Sequence, residues 1–156
     1  YANQDNEVNR WSGIAFEIMG QYFVAPLGEV SEVIYPPKCT PVPHTQAWVR
    51  GVANIRGRLL SVSDLTHYLV GQRSLPSSAQ KVLCIQHDDQ YVGLLVDQVL
   101  GIQHFNKKSF FSNQDALNDN LSPYCRGYFQ QHNQKWQVFM FSQLLHHPKY
   151  MNASIL

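Results

Sequence analysis

An all-β barrel or sandwich is the fold class this 156-residue sequence predicts, and three observations predict it. Apolar and polar residues alternate through much of the chain, the period of a strand with one face on a core. The alternating runs are short and closely spaced, as in barrels and sandwiches. Turn-forming residues fall between them.

Taken in order, Ile14, Phe16 and Ile18 alternate with Ala15, Glu17 and Met19, and a second run from Tyr22 to Ala25 follows. That pattern predicts a hairpin turning at Gly20. Further strands are expected over Glu32 to Tyr35, Gly51 to Ile55, Leu59 to Ser63, Lys81 to His87, Tyr91 to Val96, Val99 to Phe105, Cys125 to Gln131 and Trp136 to Phe141. Arg56-Gly57-Arg58, Asp88-Asp89-Gln90 and His132-Asn133-Gln134 read as the turns of three hairpins. Helix is scarce: Asp64 caps a short one over Leu65 to Leu69, and Ser142 caps another over Gln143 to His146 that Pro148 ends. Gly71 to Gln80, with Ser74, Pro76, Ser77 and Ser78, is the expected loop between a first and a second half. Asn113 to Pro123 is a second polar loop, and no tandem repeat is visible.

Composition narrows the function. The hydrophobic fraction is 44%, and a chain of this length buries roughly two thirds of its unfolded surface, enough for a real core. Lys and Arg number 12 against 11 Asp and Glu. Duplex nucleic acid is bound by neutralising several phosphates with clustered cations, and the longest basic cluster is Lys107-Lys108. An anionic membrane surface is disfavoured for the same reason. No apolar run approaches the ~20 residues of a spanning helix. The polar start, Tyr1 to Arg10, shows no signal-peptide pattern. Three cysteines, Cys39, Cys84 and Cys125, lie far apart without a C-x-x-C pair, which argues against a disulfide framework and fits a reducing, cytoplasmic setting.

Catalytic signatures are missing from the sequence. No phosphate loop occurs, and Gly51 and Gly57 bracket Val52 to Arg56 at a spacing that suits turns better than a nucleotide fingerprint. Ser63, Asp64 and His67 hold the residue types of a hydrolase triad, yet such groups converge from distant segments and no G-x-S-x-G elbow is present. Of the seven histidines, His146 and His147 are adjacent and would point about 100° apart on a helix. Cys39 and His44 are separated by a rigid stretch containing Pro41 and Pro43. Solvated surface histidines are therefore expected, with no metal and no cofactor. A small ligand-binding or metal-binding barrel is the distant alternative. Trp11, Trp48 and Trp136 could stack single-stranded bases, but alternating aromatics such as Phe16, Tyr22 and Phe139 are better read as core.

The stretch from Phe16 to Leu69 carries more. Val30, Glu32 and Val33 form one phrase; Gly51, Val52, Asn54, Arg56, Gly57, Asp64 and Leu65 form a second; Gly93, Val96, Asp97 and Val99 form a third. Gly127 precedes a Trp136 to Phe141 strand and the pair Leu144-Leu145. In this order the phrases resemble the CheW-like domains, adaptors of bacterial chemosensory arrays, over about residues 13 to 147. Residues 1–12 are then a polar leading segment and 148–156 a tail. The resemblance implies two packed, interleaved five-stranded SH3-like β-barrels with short helices. It implies a non-enzymatic adaptor that binds the regulatory domain of a CheA-type histidine kinase and the cytoplasmic tip of a methyl-accepting chemoreceptor, without nucleic acid and without inserting into the membrane. It places the protein in the cytoplasm, at membrane-associated arrays through those partners. By motif position the partner-binding residues are Val30, Glu32, Val33, Asn54, Arg56, Gly57, Val96, Asp97 and Val99. The wording Trp48 to Gly57 and the ending Trp136 to Met151 resemble the branch serving type IV pili and twitching motility more than the flagellar adaptors, which remain the alternative.

The residues themselves add expectations. Glu32 sits among Val30, Val33 and Ile34, and Arg56 between Ile55 and Gly57, so a Glu32–Arg56 ion pair between neighbouring strands is predicted. Gly57 would take a positive φ, Asn54 would satisfy turn backbone, and Asp97 would do likewise or pair with a cation.

Overall fold

The computed structural model describes residues 9–112 and 120–153. Alternation becomes strand nearly everywhere it was expected. The first hairpin is β1 (Arg10–Ile18) and β2 (Gln21–Pro26), turning at Met19 and Gly20, both with positive φ. Then come β3 (Glu32–Ile34), β4 (Val49–Ile55), β5 (Arg58–Asp64), helix α1 (Leu65–Val70), β6 (Lys81–His87), β7 (Gln90–Val96) and β8 (Gln98–Asn106). The chain continues through β9 (Phe110–Phe111), β10 (Cys125–Gln131), β11 (Gln134–Phe139), α2 (Phe141–His146) and α3 (Pro148–Met151).

These strands make two sheets. One runs β8-β1-β2-β11-β10-β9 and the other β3-β6-β7-β5-β4, so the second is inserted between β2 and β8 of the first. The two-sheet, interleaved architecture agrees with the expected one. The first sheet carries a sixth strand, the two-residue β9, which pairs with β10 through Tyr128 and Phe129. Gly127 (φ 154°) makes that approach possible, since a Cβ there would stand 2.4 Å from the Phe111 carbonyl oxygen.

Each sheet curls around its own core. In the first, Phe105 on β8 stacks on Phe129 of β10 at 4.7 Å, joining distant strands over Ala15, Val24 and Val138. The second encloses Leu60, Val62, Val82, Cys84 and Leu95. The third and largest core spans elements of both sheets: Phe16, Phe23 and Phe139 from the first, Leu83, Ile85, Val92 and Leu94 from the second, with Leu65 and Tyr68 of α1 and Phe141, Leu144 and Leu145 of α2. Strands buried on both faces explain why β6 and β7 read as almost continuous apolar runs.

The helices differ from expectation in instructive ways. Asp64 caps α1 as predicted, its Oδ1 accepting from His67 N at 3.1 Å, and Gly71 (φ 78°) closes it. Ser142 does not cap α2. The helix starts at Phe141, and its first N–H groups donate to Glu29, Phe141 N to Oε1 at 2.6 Å and Ser142 N to Oε2 at 3.4 Å. A carboxylate from 112 residues away supplies the cap that a local side chain usually gives. Pro148 does not merely stop α2; it opens α3, where its missing N–H costs nothing. Tyr150 of α3 stacks on Trp48 at 5.4 Å.

The 71–80 segment joins α1 to β6 within the second sheet's own set of strands, so it does not separate the two sheets. Ser74 anchors it to Asp64. Of the two polar segments read from sequence, residues 1–8 and 113–119 lie outside the described residues. Within the described part, Leu121 and Tyr124 are buried in the central core.

Candidate protein-docking surface

The nine residues singled out by motif fall into three settings. The first is the mouth of the second sheet. Glu32 and Ile34 lie on one face of β3, Ile34 packing on the sheet's core, while Val33 between them faces outward and is 39% exposed. Glu32 Oε1 accepts a very short hydrogen bond from Arg56 Nη2 and another from Tyr91 OH at 3.2 Å. The predicted ion pair is present, but its setting differs. Arg56 lies on the turn after β4, as expected, but β3 and β4 are the two outermost strands of the five, not neighbours. The pair closes the seam where the curled sheet brings its ends together. It is also more open than a strand-borne pair would be, with side-chain exposures of 70% for Arg56 and 30% for Glu32.

Arg56 (φ 52°) and Gly57 (φ 84°) are consecutive left-handed residues, the conformation of a tight two-residue hairpin loop. Asn54 Oδ1 accepts from Gly57 N at 2.9 Å and so fixes the turn that carries Arg56. Arg58 lies 4.0 Å over the Tyr91 ring and donates to Gln86 Oε1. Tyr91, Arg58 and Gln86 were not singled out from sequence, and no local signal links them, because the parallel pairing of β5 with β7 that brings them together leaves no short-range mark. The Arg56 hydrogen bond and charge hold the Glu32 carboxyl below the usual range, and burial with the nearby Glu32 charge pushes the Cys84 thiol up to about 11.

The second setting is the fringe of the central core. Val30 and Val99 are both half-buried and pack against it, Val99 opposite Phe16 across the β1–β8 ladder. The third is interior or structural. Val96 is 1% exposed and belongs to the central core, so it has no face to offer a partner, contrary to the expectation from its motif. Asp97 Oδ2 accepts from Met19 N at 2.8 Å, and Asp97 N donates to the Glu17 carbonyl at 3.1 Å. Its carboxylate therefore holds the first hairpin's turn, one of the two roles foreseen for it.

Beside these lies a cleft of about 620 Å³ between the first sheet and the 71–80 segment, bounded by Glu17, Met19, Thr66, Leu75, Asp97 and Gln98. Leu75 is 83% exposed and Met19 56%. Exposed apolar side chains beside fixed polar groups suit contact with another protein better than they suit bond-making chemistry.

Comparisons with known proteins give the family and the fold of this chain. The family model described as CheW-like domain matches residues 12–149. The chain is 40% identical over 152 residues to Protein PilI of Pseudomonas aeruginosa, covering 97% of this chain and 85% of that protein. It is 31% identical over 114 residues to Chemotaxis protein CheW of Rhizobium meliloti, 73% of this chain and 74% of that one. Among solved structures, the scaffolding protein TtCheW of Thermoanaerobacter tengcongensis shares the fold, with a TM-score of 0.78 at 17% identity, over 89% of this chain and 94% of that chain.

Proposed function

This chain belongs to the CheW-like domain family and is an adaptor of that kind; on that premise we propose that it serves the chemosensory pathway of type IV pili and twitching motility. In this reading it joins the regulatory domain of a CheA-type histidine kinase to the cytoplasmic tip of a methyl-accepting chemoreceptor. Identity of 40% to PilI across nearly the whole chain, against 31% over a shorter stretch to a CheW, supports the pilus pathway over a flagellar one.

The observation that carries the proposal is the edge strand β3 at the mouth of the second sheet, which holds the hydrogen-bonded Glu32–Arg56 pair on one face and the exposed Val33 on the other. A partner that covers this edge meets an apolar contact on one side and charges already held in place on the other, which gives both affinity and register at little further ordering cost. Val33, Glu32 and Arg56 are the contact residues; Asn54 and Gly57 act through the turn. Val30 and Val99 offer apolar edges that an amphipathic receptor helix can cover. Asp97 positions the first hairpin, and Val96 is left to the core. Such an adaptor works by affinity and makes or breaks no bonds. Among the described residues no helix is long and apolar enough to cross a membrane, and the proposal places the chain at cytoplasmic arrays through its partners.

The test is calorimetric titration of the chain and its Arg56→Glu and Val33→Glu variants into the kinase regulatory domain. Both variants should keep the wild-type circular dichroism spectrum and bind at least about tenfold more weakly, the loss expected of a contact worth ~1.4 kcal/mol. Wild-type affinity in both folded variants would move the docking surface elsewhere.

A further inference from the structure

Among the described residues no three His, Cys, Asp or Glu side chains form a ready cage for a metal ion. Two imidazoles nevertheless converge from opposite parts of the chain. His87, the last residue of β6, and His146, the last of α2, are 59 residues apart in sequence, and their Nε2 atoms lie 3.3 Å from each other. Nitrogens bound tetrahedrally to one zinc ion at about 2.0–2.1 Å are separated by about 3.3–3.4 Å. The spacing already equals the bite of a bidentate site.

Three further features favour coordination. His146 Nδ1 lies 2.7 Å from the Ser142 carbonyl oxygen, which can only accept, so Nδ1 carries the proton and Nε2 keeps its lone pair. A backbone carbonyl on the far nitrogen is the usual device that orients a metal-binding imidazole. The Asp88 carboxylate stands beside the same point, its Oδ2 3.6 Å from His87 Nε2, and that side chain is 81% exposed and free to swing. Finally, His146 is exposed and His87 half-exposed, leaving room for water in the remaining positions.

We propose that His87 and His146 form a site for Zn²⁺ or a related borderline divalent cation, with Asp88 within reach as a further oxygen ligand. Imidazole nitrogen with carboxylate and water suits zinc, cobalt, nickel and copper and disfavours magnesium and calcium. In the metal-free chain His87 Nε2–H donates to His146 Nε2; on binding, His87 takes its other neutral tautomer, the proton moving from Nε2 to Nδ1 by exchange with water, so that both Nε2 lone pairs can face the ion. The site ties β6 of the second sheet to the helix that follows the last strand of the first. A bound ion therefore fastens the two sheets together.

The experiment uses the intact chain, freed of metal by chelator and desalted. ZnCl₂ is titrated calorimetrically, CoCl₂ is followed by its visible spectrum, and thermal unfolding is recorded with and without Zn²⁺. One equivalent should bind, with a Co²⁺ spectrum of nitrogen–oxygen ligation and a raised melting temperature, because only the folded chain holds the histidines together. His87→Ala and His146→Ala, both at surface positions, should each weaken binding about tenfold or more and abolish the thermal shift, whereas His132→Ala in another hairpin should change neither. No saturation by about 1 mM Zn²⁺, or one-equivalent binding that survives both substitutions, overturns the proposal. The adaptor function stands or falls separately.

Discussion

Removing the Asp64 carboxylate should destabilise this fold more than any single surface change. The side chain is fully buried, where the end of β5 meets α1. One oxygen accepts from His67 N at 3.1 Å and caps α1; the other accepts from Ser74 N at 2.9 Å and Ser74 Oγ at 2.7 Å, pinning the 71–80 segment. Arg50 Nη1, buried and otherwise without a hydrogen bond, lies 3.9 Å from the same oxygen. Asp64→Ala therefore loses a helix cap, worth about 1 kcal/mol, and charge-assisted hydrogen bonds worth about 1.5–3 kcal/mol each. The donors share one group, so the losses do not add. The total expected is about 3–5 kcal/mol, the range for breaking a buried network of hydrogen bonds and leaving its donors unpartnered. For a chain of this length that lowers Tm by roughly 6–20 °C. Asp64→Asn keeps an acceptor for one donor but turns an amide N–H toward another, and should fall between alanine and wild type. Urea unfolding followed by tryptophan fluorescence reads the change directly. A loss below about 1 kcal/mol for Asp64→Ala would refute the claim that this carboxylate joins helix, loop and strand.

Three further outcomes follow from the geometry. The Glu32 carboxyl, held low chiefly by its Arg56 hydrogen bond, should titrate by NMR below the ~4.3 of a free glutamate, and Arg56→Ala should raise that midpoint. Because the folded-state value is the depressed one, the stabilisation is complete above the unfolded value and fades as pH falls through the folded one. Burial pushes the Cys125 thiol to about 12 and, with the Glu32 charge, Cys84 to about 11, so a thiol reagent at pH 7.5 should count no more than one fast cysteine, Cys39, in the native chain and all three in denaturant. Glu29→Ala should cost about 1–2 kcal/mol in urea unfolding through loss of the α2 cap, although Glu29 is outside that helix.

How much of this was legible from residues alone divides by distance along the chain. A short, nearly continuous apolar run located β6 and alternation located β10 to the residue, and the Arg56-Gly57, His132-Asn133 and Met19-Gly20 turns followed from local conformational preference. Asp64 announced itself as a cap because its partner is three residues away. Glu29 did not, since no local pattern links it to Phe141, and Ser142 was the nearer but wrong choice. The parallel pairings of β2 with β11 and β5 with β7 leave no short-range mark either, which is why the 71–80 segment looked like a divide between halves.

The docking surface shows the same division. A charge amid valines marked Glu32 and Arg56 for each other, because a lone charge there is costly. What hid was the seam between β3 and β4, and hence the exposure of the pair. Val96 misled because it stands beside Asp97, whose carboxylate holds the first hairpin's turn, while its own side chain points into the core. The His87–His146 contact was out of reach of any spacing rule.

The central claim is the pairing of this adaptor with one kinase. Its most direct test is titration of the intact chain into the regulatory domain of the pilus-pathway CheA-type kinase from the same organism, with the flagellar-pathway domain in parallel. Saturable one-to-one binding to the first is expected, with none, or much weaker binding, to the second. Preference for the flagellar domain, or no binding to either by two independent methods, would contradict it.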